Sequence, residues 1–282
     1  MYVLGDSLVD NAELLGLPYL PPYANPFSTD RDIMYGVNYA SAAGGILDES
    51  GQGLGERFSF SKQVENFGIT MKQLQNQMND AQLQQYLSKA LVVVILGSND
   101  YVNNYFNPTY PSSSRFKPDK YADILINQYN KQIAGLYSQG LRRFYLAGIG
   151  PIGCTPSHKT AARMPPNKCV DSTNNIIQLF NTRLRSQVDR YNVTYPQGIF
   201  VFGDIFQAIL DILDHPATFG RNNAESICLP LLVPCSNRDQ YAFWDAYHPT
   251  QVVHRFLALT AYNGPKSFSH PITIKQMAQI QI

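Results

Sequence analysis

A hydroxyl, an imidazole and a carboxylate stand near opposite ends of this chain, in contexts that suit acyl-transfer chemistry. Ser7 follows the short apolar run Tyr2–Leu4, and Asp245 precedes His248 by three residues. A serine hydroxyl is a weak nucleophile at neutral pH, so it needs a nearby base and a third group that orients this base. We therefore predict Ser7 as the nucleophile, His248 as its base and Asp245 as the residue that orients the imidazole.

Hydrogen-bond donors for a developing negative charge can be identified in the same way. One such donor contributes about 3–4 kcal/mol to the stability of an acyl-transfer transition state. Asn99 follows the apolar run Leu91–Leu96, from which its side-chain amide can be delivered. The backbone N–H groups of Ser7 and of Ala43 or Gly44 are the other candidates. We expect these groups to form an oxyanion hole.

Short β-branched and aromatic runs alternate with longer segments of helical periodicity. The predicted strands are Tyr2–Leu4, Gly36–Tyr39, Leu91–Leu96, Phe144–Gly148 and Ile199–Phe202, and the clearest predicted helices are Ser61–Met78, Pro118–Ser138, Asp171–Tyr191, Ile205–Leu213 and Pro249–Tyr262. This alternation is typical of βαβ units with helices on both sides of a mainly parallel sheet. We therefore predict an α/β fold, a three-layer α/β/α sandwich, as one domain over residues 1–282 with a peripheral tail from about residue 263.

The predicted fold places the candidate residues together. In open α/β sheets the ligand crevice lies beyond the carboxyl ends of the strands. Ser7 follows the first predicted strand, Ala43 and Gly44 follow the second, and Asn99 follows the third. Pro249 suits the first position of the last helix, which would put Asp245 and His248 on the loop that enters it.

Composition narrows the range of partners. The formal net charge is +1 and charged residues make up 15% of the chain, so there is no basic surface of the kind that binds nucleic acid. No run approaches the roughly 18 apolar residues that a transmembrane helix needs. We expect a small-molecule substrate, no nucleic-acid partner and no transmembrane segment.

The chain has four cysteines, which form two local pairs by position, Cys154 with Cys169 and Cys228 with Cys235. None has the spacing of a zinc site, so we predict neither a metal nor another cofactor. Their even number and loop positions favour two disulfides and an oxidising compartment. Four free thiols in a reducing compartment are the alternative.

Four blocks of the sequence resemble the plant branch of the GDSL esterase/lipase family, within the SGNH hydrolase superfamily. The blocks are Gly5–Asn11, Gly36–Gly45, Gly97–Tyr101 and Asp245–Thr250, in the family's order, and Gly148–Cys154 with Asn237–Tyr241 resemble plant-branch signatures. The resemblance extends from residue 1 to about residue 260.

The resemblance implies a carboxylic-ester hydrolase with a three-layer fold and no cofactor. Ser7 would be the nucleophile, His248 the base and Asp245 its partner. The oxyanion hole would comprise Asn99, the Ser7 backbone and the backbone at Ala43 or Gly44. Substrates would be acyl esters, lipids or acetylated glycans, and Tyr101, Tyr105, Phe106 and Trp244 are compatible either with an acyl pocket or with core packing.

Secretion and a role in lipid metabolism are further implications of the resemblance. Family members begin with a secretory signal, whereas Met1–Gly5 has neither the basic nor the apolar region of one. The chain also departs from the family after its first block. There the family carries a loop, a helix and several dozen further residues, but Asn11 here runs directly into Ala12–Pro18. We expect an internal deletion at this point, and a smaller one between Phe219 and Cys228.

These observations leave hypotheses from different classes. The first is a serine ester hydrolase that works through an acyl-enzyme. The second, motivated by the expected deletion beside the nucleophile, is a catalytically impaired isoform that binds a ligand or partner. A third, metal-dependent phosphoester cleavage through Asp6, Asp245 and His248, leaves Ser7 and Asn99 without roles. We take the first as the function that the sequence favours.

Overall fold

The computed structural model describes residues 1–8, 19–25, 30–219, 223–228 and 235–281, in which the strands form two sheets. The strands are β1 (Tyr2–Gly5), β2 (Val37–Asn38), β3 (Leu91–Ile95), β4 (Arg143–Ala147), β5 (Ile199–Gly203), β6 (Asn223–Ile227), β7 (Tyr241–Phe243) and β8 (Ser269–His270). The larger sheet has the order β2-β1-β3-β4-β5-β8 and is parallel except for β8. β6 and β7 pair separately. All five predicted strands are confirmed.

Helices flank the larger sheet. They are α1 (Asp30–Ile33), α2 (Phe60–Gln75), α3 (Asp80–Lys89), α4 (Ser112–Arg115), α5 (Pro118–Ser138), α6 (Pro156–Ala161), α7 (Asp171–Thr194), α8 (Ile205–Asp214), α9 (Gln251–Asn263) and α10 (Ile274–Gln279), and a π-helix spans Asp100–Tyr105. Among the described helices, none is long and apolar enough to cross a bilayer. The predicted helices are present, but α3 was missed because it buries only Leu83 and Leu87 in a glutamine-rich sequence.

The start of α9 corrects one prediction. Pro249 is not its first residue, since it forms an antiparallel bridge with Phe243 and the helix begins at Gln251. Thr250 lies between them in an extended conformation and donates its hydroxyl to the Tyr241 carbonyl at 2.7 Å. Pro249 and Thr250 are therefore both bonded to β7, and the helix can begin only after them.

Two apolar cores lie on opposite faces of the larger sheet, because successive side chains of a strand point to opposite sides. The larger core contains Tyr2 and Leu4 of β1, Val92 and Val94 of β3, and residues of α2, α5 and α7. The smaller one is formed mainly by β4, β5, α9 and α10. The sheet with helices on both faces confirms the three-layer α/β/α prediction.

The chain after residue 263 is not a peripheral tail, contrary to the prediction. β8 extends the larger sheet beside β5, and Met277 of α10 is 1% exposed in the smaller core. Arg143, at the start of β4, donates to the carbonyl of Ala278 at 3.2 Å and to that of Ile280 at 2.7 Å. This segment therefore completes one edge and one face of the sheet.

A buried carboxylate ties together the loops that follow β2 and β3. Asp100 is fully buried and accepts hydrogen bonds from the N–H groups of Ile46 at 2.8 Å and Leu47 at 3.0 Å. The Ser50 hydroxyl donates to the same carboxylate at 2.5 Å. Burial raises the pKa of Asp100 to about 6, although these donors act in the opposite direction. The loop after β2 is thus fixed to the end of β3.

A second buried carboxylate lies directly before Ser7. Asp6 is 3% exposed and accepts a hydrogen bond from the Leu8 N–H at 3.0 Å. Burial, reinforced by the charge of Asp100, raises the pKa of Asp6 to about 7 despite the donor from Leu8. Because the Asp6 carboxyl group accepts a hydrogen bond from the N–H two residues later, the chain turns at Ser7.

The four described cysteines form the two predicted disulfides, Cys154–Cys169 and Cys228–Cys235. The first crosslinks the segment between β4 and α7, in which Ser157 donates its N–H to the Ala246 carbonyl at 3.0 Å. This disulfide therefore fixes a segment that contacts the loop between Asp245 and His248.

We expect the free energy of unfolding of the wild type to fall as the pH rises from about 4 to about 7. The Asp6→Asn substitution should make this fall smaller. The folded state raises the pKa of Asp6 from its ordinary value to about 7, so in this window the folded protein binds a proton that the unfolded chain has lost. The free energy of unfolding of the wild type should therefore fall as the pH rises, by on the order of 2–4 kcal/mol more than that of the variant.

Urea titrations of both proteins at the two pH values measure this difference. Asp214→Asn, which changes an exposed aspartate at the end of α8, is the matched control and should follow the wild type. Equal losses in the wild type and Asp6→Asn would contradict the prediction.

Removal of the Cys154–Cys169 disulfide by a double alanine substitution should lower the free energy of unfolding by about 3 kcal/mol. The reason is that its 15-residue separation restricts the unfolded chain. The Cys228–Cys235 crosslink spans 7 residues, and its removal should cost about 2 kcal/mol. Denaturant titration under non-reducing conditions measures both values, and an unchanged midpoint for the first variant would refute the prediction.

Candidate active site

The candidate nucleophile lies where the order of the strands reverses. β1 has β2 on one side and β3 on the other, and Gly5 at the end of β1 is in register with Ile95 at the end of β3. This reversal point, outside the carboxyl ends of the strands, is the usual ligand site of an open α/β sheet. Ser7 and Asn99 extend from these two strand ends and line one cavity of about 640 Å³.

Three side chains form a continuous line of hydrogen bonds. The Ser7 Oγ lies 2.7 Å from His248 Nε2, and His248 Nδ1 lies 2.8 Å from one carboxylate oxygen of Asp245 and 3.0 Å from the other. An ionised carboxylate only accepts hydrogen bonds, so the neutral imidazole carries its proton on Nδ1. Nε2 is then the acceptor for the Ser7 hydroxyl. The structure thus brings together the three residues that the sequence analysis paired.

Asp245 is held in its charged form by its surroundings. Its partial burial raises its pKa, but the backbone N–H groups of His248 at 2.7 Å and Tyr247 at 2.8 Å, together with the imidazole, lower the pKa below the ordinary value. The same carboxylate therefore shapes the turn and orients the ring. The spacing of three residues between Asp245 and His248 is what allows both contacts.

The loop that carries this pair is closed at its base. The Trp244 N–H donates to the His248 carbonyl at 2.8 Å, and Phe243 and Pro249 form the antiparallel bridge described above. Residues 245–247 therefore form a short loop between β7 and α9, and hydrogen bonds join its two ends. The closed base holds His248 over Ser7, a residue 241 positions away in sequence.

The structure distinguishes the two backbone donors proposed after β2. The Gly44 N–H donates to the Ser41 carbonyl at 3.0 Å, and a Cβ at Gly44 would lie 2.5 Å from the Phe58 carbonyl oxygen. Gly44 is therefore required for close packing, and its N–H is already engaged. The N–H groups of Ala43 and Ser7 have no acceptor within the described part of the chain, and both residues line the cavity.

Ala43 adopts a left-handed backbone conformation, with φ of 60°. This region costs an L-residue with a Cβ roughly 1–2 kcal/mol relative to the right-handed one. Close packing accompanies this conformation, since a Cβ at Gly51 would lie 2.1 Å from the Ala43 carbonyl oxygen. Backbone strain of this kind clusters at functional sites.

The orientation of the Asn99 amide is set by a second asparagine. Asn103 donates its amide N–H to Asn99 Oδ1 at 2.7 Å, so Asn99 Nδ2 must face the other way. There it donates to the Gly44 carbonyl at 2.9 Å and lies 3.4 Å from a carboxylate oxygen of Asp6. One Nδ2 proton is therefore hydrogen-bonded to the Gly44 carbonyl. The other makes only the long contact with Asp6, and an oxyanion could take the place of Asp6 as its acceptor.

Asn103 and the structural role of Asp6 were missed from the sequence. Asn103 stands four residues after Asn99, a helical spacing, but no pattern in the sequence predicts the π-helix that begins at Asp100. π-helical turns are rare and are frequent at functional sites. The sequence pattern alone suggests only a metal-ligating role for Asp6. Within the described ranges, no group of three or more His, Cys, Asp or Glu residues could hold a metal ion, so the metal-dependent hypothesis has no ligand set there.

Three of the four aromatic residues that the sequence offers for an acyl pocket, Tyr101, Tyr105 and Phe106, belong instead to the larger core. Tyr101 and Tyr105 are 0% and 5% exposed and pack against Tyr121 with ring centroids 5.5 and 4.6 Å apart. Phe106 packs against Tyr101 at 5.8 Å. None of these residues lines the described part of the cavity, and neither does Trp244.

Comparison with known proteins identifies the family of this chain. Residues 1–260 match the model of the family described as GDSL-like Lipase/Acylhydrolase. GDSL esterase/lipase At1g71250 of Arabidopsis thaliana is 45% identical over 279 residues, which cover 94% of this chain and 75% of the relative. Two other Arabidopsis thaliana proteins, GDSL esterase/lipase At5g08460 and GDSL esterase/lipase 7, are 44% and 38% identical, each over 98% of this chain and over 76% and 80% of their own lengths. The chain therefore belongs to the GDSL-like lipase/acylhydrolase family of ester-bond hydrolases.

Proposed function

We propose that this chain hydrolyses carboxylic esters through an acyl-enzyme formed on Ser7. The observation that carries the proposal is the 2.7 Å contact between Ser7 Oγ and His248 Nε2, with Asp245 bonded to the opposite side of the ring. Ser7 is exposed to the cavity, so a substrate carbonyl can reach its hydroxyl. The nucleophile, the base and the orienting group are thus within hydrogen-bonding distance of one another before the substrate binds.

Acylation begins when Ser7 Oγ attacks the ester carbonyl carbon while its proton passes to His248 Nε2. The carbonyl oxygen becomes an oxyanion, which accepts hydrogen bonds from the N–H groups of Ser7 and Ala43 and from Asn99 Nδ2. Asp245 stabilises the imidazolium without taking its proton. The C–O bond to the alcohol then breaks, and His248 gives the proton to the departing oxygen.

Deacylation repeats these steps with water. His248 removes a proton from the water, whose oxygen attacks the acyl carbon, and the same donors hold the second oxyanion. The bond between the carbonyl carbon and Ser7 Oγ breaks, and the proton returns to Ser7. The products are a carboxylic acid, an alcohol and the original enzyme.

The alternative of an impaired binding protein is not favoured. The candidate triad is hydrogen-bonded throughout, and the relatives that match most of the chain are named esterases/lipases. The expected deletion after Asn11 falls in residues 9–18, outside the described residues. It stays a prediction.

The proposal extends to an extracellular location and a role in lipid metabolism. The two disulfides support the location, since disulfides form and persist in oxidising compartments. An ester of a lipid or of a glycan supplies the carbonyl that the mechanism needs. These substrate classes follow from the family and from the ester chemistry of the site.

A fluorophosphonate probe should label the wild-type protein covalently at Ser7, because the His248 base activates this hydroxyl. Ser7→Ala should abolish the labelling and reduce the turnover of p-nitrophenyl acetate by at least about a thousandfold. His248→Ala should have a loss of similar size. Mass spectrometry of the labelled peptide and steady-state kinetics provide the measurements.

Matched controls separate loss of chemistry from loss of structure. His270 pairs with Asp189 at 2.7 Å, in a second Asp–His pair away from the cavity, so His270→Ala should retain turnover. Ser138→Ala, at an exposed position, should still be labelled. A wild type that is folded but neither labelled nor active would overturn the proposed function.

Asn99→Ala should lower kcat by about 10²–10³-fold with little change in KM, because the amide acts on the oxyanion and not on the bound ester. Asn103→Ala should give a smaller loss of kcat, since it removes only the bond that orients Asn99. Initial-rate kinetics with p-nitrophenyl acetate test both variants. An unchanged kcat for Asn99→Ala would remove this residue from the oxyanion hole.

A further inference from the structure

The pairing of β1 with β2 stops before it reaches the candidate nucleophile. In the described part of the chain, β2 pairs with Tyr2 and Val3 of β1. Two residues later the Gly5 carbonyl accepts a hydrogen bond from the Ser41 N–H at 3.1 Å, in the loop that follows β2. The Gly5 N–H donates instead to a side chain, the Gln63 Oε1 of α2, at 2.8 Å. A helix side chain therefore takes the place of a strand carbonyl at the end of β1.

The amide of Gln63 is hydrogen-bonded at both of its ends. Its Nε2 donates to the Gly5 carbonyl at 2.8 Å and to the Phe58 carbonyl at 2.9 Å. Oε1 has its own donor and both Nε2 protons have acceptors, so the orientation of the amide is fixed. Each of these partners is a backbone group. Gln63 is 0% exposed, so water does not reach the amide to replace a lost partner.

The same amide contacts the loop that carries a candidate oxyanion donor. A Cβ at Gly44 would lie 2.5 Å from the Phe58 carbonyl oxygen and 3.5 Å from Gln63 Nε2. The Phe58 N–H donates to the Ser41 Oγ at 2.9 Å. The segment that leads into α2 is therefore bonded to one side of the turn that contains Ala43 and packed against the other side.

These contacts join the two pieces of chain that must act on one carbonyl group. Ser7 lies two residues after Gly5, and Ala43 lies one residue before Gly44. In the proposed mechanism, the N–H groups of Ser7 and Ala43 point at one oxyanion while the Ser7 Oγ attacks its carbon. An error of about 1 Å in such an arrangement can cost roughly a hundredfold in rate. The separation of these two pieces of chain therefore has to be fixed.

We propose that Gln63 is a positioning residue for the esterase reaction, because its amide holds the strand before Ser7 against the loop that carries Ala43. Gln63 does not line the described part of the cavity, so it acts through backbone groups and not on the substrate. This inference rests on the proposed function. It adds a residue that lies outside the four sequence blocks.

Gln63→Met removes the amide and keeps a side chain of similar length. It should lower kcat for p-nitrophenyl acetate by about 10–100-fold, because Ser7 and the oxyanion donors are displaced from each other. KM should stay within about twofold, since no contact with the bound ester is removed. The rate constant for fluorophosphonate labelling of Ser7 should fall by a similar factor to kcat. Asn66→Ala changes another buried polar residue of α2, one turn later, and should leave kcat within about twofold of the wild type.

Gln63→Glu provides a second measurement, which applies also if Gln63→Met does not fold. Its carboxylate can accept from the Gly5 N–H, but it can donate to the Gly5 or Phe58 carbonyl only when it is protonated. Burial raises the pKa of such a group, so the ratio of kcat in this variant to kcat in the wild type should rise at least about fivefold from pH 8 to pH 6. Asp6 and His248 are present in both proteins, so their own ionisation largely cancels in the ratio.

Circular dichroism and initial-rate kinetics with p-nitrophenyl acetate are measured on the same preparations. An unchanged kcat in Gln63→Met, a loss confined to KM, or equal losses of kcat in Gln63→Met and Asn66→Ala would overturn the positioning role. A constant kcat ratio in Gln63→Glu would do the same. All of these results leave the proposed function intact, because the wild type still hydrolyses the ester. A folded wild type that is neither labelled nor active would overturn the proposed function and this inference together.

Discussion

The parallel pairing of β1 with β3 is the constraint on which the candidate site depends. Because Gly5 and Ile95 are in register, the chain leaves both strands at the same rim, and Ser7 and Asn99 enter one cavity. β2 pairs on the other side of β1, so the loop that follows it reaches the same rim. A shift of this register would separate the hydroxyl from the amide and from the N–H of Ala43.

Two buried carboxylates, those of Asp6 and Asp100, hold the loops at these strand ends in place. Asp100 accepts hydrogen bonds from the loop after β2, and Asp6 accepts one from the Leu8 N–H, on the far side of the candidate nucleophile Ser7. Both groups are desolvated, which raises their pKa values, so they are retained at an energetic cost. The strained φ of Ala43 is a further cost in the same small region. Such costs are typical of sites in which donors are held in position before substrate binds.

The two faces of the larger sheet are covered differently. One face is covered by α2, α5 and α7 with a continuous core. The other is covered by α8, α9 and α10 mainly over β4 and β5, so β3 keeps three half-buried apolar side chains beside the cavity. Ser7 and Asn99, the candidate catalytic groups, lie at the strand ends and not on either face.

The sequence by itself determined the strands, the long helices and the types of residue at the site. Periodicity and short apolar runs are local signals, and the blocks around Ser7, Asn99 and His248 carry the family resemblance. It did not determine that the Gly44 N–H donates to Ser41 while the Ala43 N–H has no acceptor among the described residues, or that Asn103 orients Asn99. Nor did it place the last segment, β8 and α10, within the sheet and its smaller core. These features depend on contacts between residues distant in sequence, which only the packed tertiary structure specifies.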